Sequence, residues 1–187
     1  MESAQTAANC APKHIPLQLV PRRLLPMAGA AEFILGEYHR TLDERFRLSI
    51  PTELVEALGS TNDQYILSKE RLGCLSLWNA QAWQTRLNDG VELIQGKMRS
   101  GRLEGRLGEV QLLGRLLSTR HAAVPLAGKG RLMVPEGFRE FLRVEPGSDC
   151  LVVGAAVCVE IWSPAAWLAY LEKRMPRFRR LFDRLSS

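Results

Sequence analysis

Six of the seven charged side chains in two short stretches suit contact with a polyanion better than bond chemistry. Arg40, Asp43, Arg45 and Arg47 crowd RTLDERFRLSIP at 40–51, and Lys129 and Arg131 stand in GKGRLMVP at 128–135. A guanidinium offers paired N–H donors that match two phosphate oxygens or the O6 and N7 of guanine. A lysine adds a point charge for phosphate. A lone arginine at the start of a strand is commonly just an exposed residue. Arg47 and Arg131, however, recur at one register beside a basic turn, which favours nucleic-acid contact.

Signs of catalysis or metal binding are weak by comparison. The four cysteines, Cys10, Cys74, Cys150 and Cys158, include no CxxC pair, which argues against a zinc ribbon or a dithiol motif. Cys74 and Cys158 lie in apolar runs as small hydrophobes, with no His or Asp at a matching register to activate them. His39 maps by the repeat described below onto Ala123 rather than His121, so a paired metal site is not expected. Gly90–Lys97 is one residue too long for a phosphate loop, and Met98 stands where Ser or Thr would bind magnesium. No cofactor and no small-molecule substrate are implied.

The elements that must position the arginines come from a repeat. RLSIP at 47–51 returns as RLMVP at 131–135, and CLSLWNAQAW at 74–83 returns as CVEIWSPAAW at 158–167, both at an offset of 84 residues. In this frame Leu42 matches Leu126, Leu58 matches Leu142, and Trp78 and Trp83 match Trp162 and Trp167. Each copy reads strand, turn, strand, short helix, strand, strand, helix. In copy one the strands are expected at Glu37–Leu42, Arg47–Ile50, Tyr65–Ser68 and Cys74–Trp78. A helix follows Pro51 near Thr52–Leu58, and another starts at Ala80. Copy two repeats the pattern through Phe138–Val144, Cys150–Val153, Val157–Trp162 and a helix from Pro164. The tryptophans fall on apolar-periodic segments and read as core. Leu103, Leu107, Val110 and Leu117 keep helical spacing, so the connector contains a helix, with Gly96, Gly101, Gly105 and Gly108 unsettling its early part.

The domain plan is a flexible tail at 1–30, a first copy at 31–83, a helical connector at 84–115, a second copy at 116–170 and a basic extension at 171–187. Met27, just ahead of the first copy, is a candidate start. The chain has 187 residues, 46% hydrophobic and 24% charged, with a net charge of +5, which suits a globular fold with a polyanion as partner. The longest apolar run, Leu151–Val159, is far short of the roughly 20 residues of a membrane helix. No secretory signal opens the chain, and the expectation is a cytoplasmic, nucleoid-associated protein without a membrane partner. The extension EKRMPRFRRLFDR at 172–184 has a short apolar face, so a solvated helix or an auxiliary DNA contact is favoured over a membrane-surface helix.

LDERFRLSIP, with GKGRLMVPEGFREFLRV and VEIWSPAAW, resembles the MraZ family of bacterial transcription regulators, related to AbrB-type swapped-hairpin domains, over roughly residues 32–172. The resemblance implies a mostly β fold with flanking α-helices. Two tandem AbrB-like swapped-hairpin repeats would form a pseudo-dimeric β-barrel. It also implies a ring-like higher-order homo-oligomer that binds promoter repeats in double-stranded DNA upstream of the division and cell-wall gene cluster. By position, Asp43, Arg47 and Arg131 fall in its DNA-binding loops. Two residues depart from the family pattern. Phe46 stands where a glycine usually precedes the arginine, and Ala127 replaces the second aspartate. An AbrB-like antitoxin is an alternative, ranked lower because this chain has two copies and a basic tail. A scaffold that has lost DNA binding is another.

Overall fold

The computed structural model describes residues 33–59 and 64–186; the expected flexible tail and the start at Met27 lie outside the described residues. In copy one, β1 (Glu37–Thr41) turns into β2 (Arg47–Ser49), whose central Leu48 is wholly buried while its neighbours face outward. Pro51 has no N–H to lose, and its φ of −53° suits helix entry. Helix α1 (Thr52–Leu58) therefore starts at once and turns Leu54 and Leu58 inward. A hairpin of β3 (Gln64–Arg71) and β4 (Cys74–Asn79) follows, irregular between Lys69 and Arg71. The Asn79 side chain then caps α2 (Ala80–Arg99) by accepting from the N–H groups of Gln81 and Ala82.

After α3 (Leu107–Arg120), copy two repeats the order. It runs through β5 (His121–Ala127), β6 (Arg131–Met133), α4 (Glu136–Leu142), β7 (Asp149–Gly154), β8 (Val159–Trp162) and α5 (Pro164–Arg174). A 3₁₀ turn, Met175–Arg177, leads into α6 (Phe178–Ser186). Strand β8 begins two residues later than the apolar run predicts. Ala156 takes a φ of +65°, and its N–H and C=O pair with Ile34, which turns 155–157 away from the ladder.

The eight strands form one antiparallel sheet in the order β1-β7-β8-β4-β3-β5-β6-β2. Every strand of copy one pairs with one of copy two: β1 with β7, β2 with β6, β3 with β5, and β4 with β8. With the β1–β2 edge joined into a ring, exchanging the copies maps this order onto itself, so a pseudo-twofold axis runs between Leu48 and Leu132, which pair directly. At the open edge the Asp43 N–H donates to the Arg47 carbonyl over 3.0 Å, matching the Ala127–Arg131 pairing at the other end. The result is a nearly closed eight-stranded barrel with flanking helices, the fold that the family resemblance implies. Neither copy closes a sheet alone, because each would leave unpaired edges.

Leu48, Leu67, Leu77, Leu132, Val152 and Ile161 fill the interior with almost no exposure. Outside the sheet, Trp83 packs on Trp78 with ring centroids 5.6 Å apart, and Trp167 packs on Trp162 at 5.2 Å. These pairs seat α2 and α5 on the barrel, so the tryptophans are packing residues. Cys74, Cys150 and Cys158 are buried free thiols. Burial pushes Cys150 and Cys158 up to about 12 and Cys74 higher still, keeping all three protonated and poor nucleophiles.

The connector differs from its expected form. Helix α2 runs straight through Gly90 and Gly96 to Arg99, and α3 begins only at Leu107, leaving Leu103 in the turn between them. Two helical glycines cost about 1 kcal/mol each relative to alanine. The Asn79 cap and the apolar stripe Leu87, Val91, Ile94 and Met98 outweigh that. The inner faces of α2 and α3 and the barrel wall line an open cleft of about 730 Å³.

Candidate nucleic-acid interface

Strands β2 and β6 make a short two-stranded ribbon with the register Arg47–Met133, Leu48–Leu132 and Ser49–Arg131. Side chains alternate across a strand. With Leu48 and Leu132 driven inward, Arg47, Ser49, Arg131 and Met133 share the outer face. Arg47 and Arg131 are diagonal neighbours, placing their backbones roughly 7–8 Å apart. The turn bearing Asp43 and Arg45 lies at one end of the ribbon, and the turn bearing Lys129 lies at the other. A ribbon of this width fits a DNA major groove about 12 Å across.

The first turn is organised by Asp43. Its Oδ1 accepts from the N–H groups of Arg45 and Arg47 at 2.8 and 2.9 Å, and its Oδ2 accepts from Arg47 Nε at 2.7 Å. Burial works to raise the Asp43 pKa, but those two N–H groups and the guanidinium outweigh it and hold the carboxyl below its ordinary value. Arg47 is thereby held in one pose. Arg45 stays exposed at the tip, next to Glu44.

The second turn is built on glycine. Gly128 and Gly130 take φ values of +54° and +78°. A Cβ on Gly130 would stand 2.7 Å from the Ile50 carbonyl oxygen and 3.1 Å from Val55 Cγ2, so only glycine fits. Lys129 and Arg131 are exposed, and no described carboxylate lies within salt-bridge reach of either.

Phe46, the counterpart of Gly130, keeps the left-handed conformation with a φ of +56°. Its carbonyl accepts from the Val134 N–H at 2.9 Å, just as the Gly130 carbonyl accepts from Ile50 at 2.9 Å. The side chain is accommodated because the residue matching Val55 is Arg139, whose guanidinium carbon lies 3.9 Å from the Phe46 ring centroid. The guanidinium is fixed in turn by donation from its Nε to the Val134 carbonyl at 3.0 Å. The departure at Phe46 therefore preserves the turn's backbone and swaps a glycine contact for a cation–π contact.

Arg40 is set apart from the ribbon. It lies on β1 opposite Cys150, with its guanidinium over Tyr38 and donating to the His39 carbonyl. Arg120, which adds to the local charge around the second turn in sequence, is turned away from it. It donates to Glu70 at 3.1 Å and to the Lys69 carbonyl at 2.9 Å. Ser49 and Met133 share the outer face with the two arginines and follow from the alternation. Arg139 was detectable only as the residue in register with Val55.

Together the fold and the ribbon define a class: a two-copy swapped-hairpin barrel presenting a twofold-related arginine face. The chain matches the MraZ protein family, whose description also likens it to antitoxins, over residues 33–93 and 121–185. The chain belongs to the MraZ family. Among similar proteins, the transcriptional regulators MraZ of Syntrophomonas wolfei and Moorella thermoacetica are each 28% identical over 151 residues, covering 81% of this chain and 95% of the relative. The transcriptional regulator MraZ of Alkaliphilus metalliredigens is 27% identical over 153 residues, covering 82% of this chain and 96% of its own.

Proposed function

We infer that this protein is a sequence-specific DNA-binding transcriptional regulator that acts as a ring-like homo-oligomer on promoter repeats upstream of the division and cell-wall gene cluster. The observation that carries the reading is the β2–β6 ribbon, which sets Arg47 and Arg131 diagonally on one outward face. Arg47, steadied by Asp43, reads base edges, while Arg131, Lys129 and Arg45 meet phosphate. Leu93 on α2, and Leu112 and Leu116 one turn apart on α3, are exposed and are available for contacts between copies. One ribbon offers few contacts, and several ribbons on one particle raise the effective concentration at tandem repeats.

The test is a mobility-shift titration on DNA upstream of the protein's own gene, with salt varied. Wild type should shift that DNA with a steep salt dependence. Arg131→Ala should weaken binding while changing unfolding by less than about 0.5 kcal/mol, as exposed substitutions do. No shift, or affinity flat with salt, would point to a scaffold instead. A particle that light scattering finds monomeric at full DNA affinity would remove the ring.

A further inference from the structure

The chain's surplus positive charge is concentrated at one end. Residues 173–186 contain Lys173, Arg174, Arg177, Arg179, Arg180 and Arg184 against Asp183 alone. That is a surplus equal to the +5 of the whole 187-residue chain, so the remainder balances to neutrality. Within the same segment Met175, Phe178, Leu181, Phe182 and Leu185 are 43–77% exposed. The 3₁₀ turn at Pro176 does not interrupt the helical path, since the Met175 N–H donates to the Leu171 carbonyl and the Phe178 N–H to the Met175 carbonyl. Met175 therefore extends the apolar face that looked short in sequence.

At about 100° per residue, Phe178, Leu181, Phe182 and Leu185 fall within one arc of roughly 100°, with Arg179, Arg180 and Arg184 outside it. Nothing in the described structure covers the two phenylalanines, whose rings lie 6.4 Å apart on the exposed helix. A helix that only touched phosphate would gain nothing from four large apolar groups facing water. A second copy of α6 would bring two such surpluses of positive charge together. An anionic surface with an apolar interior satisfies both faces at once.

We propose that α6 is a membrane-surface helix that seats Phe178, Leu181, Phe182 and Leu185 in the headgroup–acyl boundary of an anionic bilayer, with its arginines on lipid phosphates. This proposal departs from the sequence expectation of no membrane partner. The helix lies on the bilayer and does not cross it. Its nine residues span about 14 Å against a hydrocarbon core of about 30 Å, and no described helix is long and apolar enough to cross. The pattern of arginines opposite phenylalanine and leucine is that of interfacial helices.

The test is co-sedimentation of the full chain with vesicles of phosphatidylglycerol and phosphatidylcholine, compared with phosphatidylcholine alone, across a salt series. Wild type should bind the anionic vesicles, leave the neutral ones, and release as salt rises. Arg179→Gln with Arg180→Gln should lower the partition about fivefold per arginine. Phe178→Ser with Phe182→Ser should lower it at least about tenfold, without changing particle mass by light scattering or affinity for promoter DNA. The proposal is overturned by equal binding to both vesicle types, or by no binding to either. It is also overturned if the phenylalanine variant keeps vesicle binding, loses DNA affinity instead (a DNA-contacting tail), or dissociates the particle (a contact between copies). The ribbon assignment is read separately, because Arg131→Ala should leave vesicle binding unchanged.

Discussion

Removing Lys129 should flatten the salt dependence of DNA binding more than removing Arg45. The two turns occupy equivalent places on the barrel, yet their charges are committed differently. At the first, Arg47 is bonded to Asp43 at 2.7 Å, and Asp43 and Glu44 together balance Arg45 and Arg47, so the turn carries no net positive charge although Arg45 itself has no described ion pair. At the second, Lys129 and Arg131 have no described carboxylate partner, and Arg120, bound to Glu70, does not contribute. Two cations, rather than the three that lie nearby in sequence, are therefore available there. Each phosphate contact contributes about 0.9 to the slope of log affinity against log salt. Over a fourfold rise in salt, one lost contact thus spares about 3.5-fold in affinity. Lys129→Ala should flatten the slope by about 0.9 per seated turn, and Arg45→Ala by less than half of that. Both variants scale alike with the number of chains on the DNA, so their ratio is independent of ring size. Asp43→Asn keeps an acceptor for the backbone N–H groups but frees Arg47, and should steepen the slope while narrowing the gap between target and scrambled duplex. Fluorescence anisotropy on one duplex across a salt series measures all three. Equal slopes for Lys129→Ala and Arg45→Ala, or the reverse order, would refute the assignment of the turns.

The architecture yields further expectations. Gly130→Ala should destabilise the fold by about 2–3 kcal/mol in chemical denaturation, since a left-handed alanine is strained by 1–2 kcal/mol and the clash with the Ile50 carbonyl adds to it. Gly90→Ala and Gly96→Ala should each stabilise by about 0.5–1 kcal/mol, because an added Cβ meets nothing within 4 Å at either helical position; a loss of stability would mean that the inner faces of α2 and α3 close further in solution. Asp43 has a folded pKa below its ordinary 3.8, so its contribution is complete above that value and fades as pH falls through the lower folded one. Melting of Asp43→Asn should accordingly trail wild type near pH 6, with the gap closing as pH falls below the ordinary carboxylate value.

The doubled order of strands and helices was legible in the sequence because burial imposes the same demand twice, while the closure into a barrel came from the family resemblance. Leu48 and Leu132 must both face inward, Pro51 and Pro135 must both open a helix, and one offset brings these pairs into register. The arginines at the strand starts followed from the same frame. What could not be read were contacts made between copies. Phe46 looks like a broken turn motif until Arg139 is seen over its ring, and Gly130 looks merely permissive until the Ile50 carbonyl and Val55 are seen against it. A swapped topology causes this blindness, because β2 takes its partner from the other copy, about 84 residues away. Local pattern reports which face of a strand is buried but not which residue waits across the ladder. The connector escaped for a related reason. Its glycines read as breaks when each is judged locally, whereas the Asn79 cap and the packing of Trp83 fix the helix from its first turn. The two copies have thus diverged by paired substitution across the pseudo-twofold axis: phenylalanine with arginine on one side, glycine with valine on the other. Exchanging both members at once, Phe46→Gly with Arg139→Val, should therefore be milder than the sum of the single changes, and a double-mutant cycle with no coupling between them would show that the Phe46–Arg139 contact carries no energy.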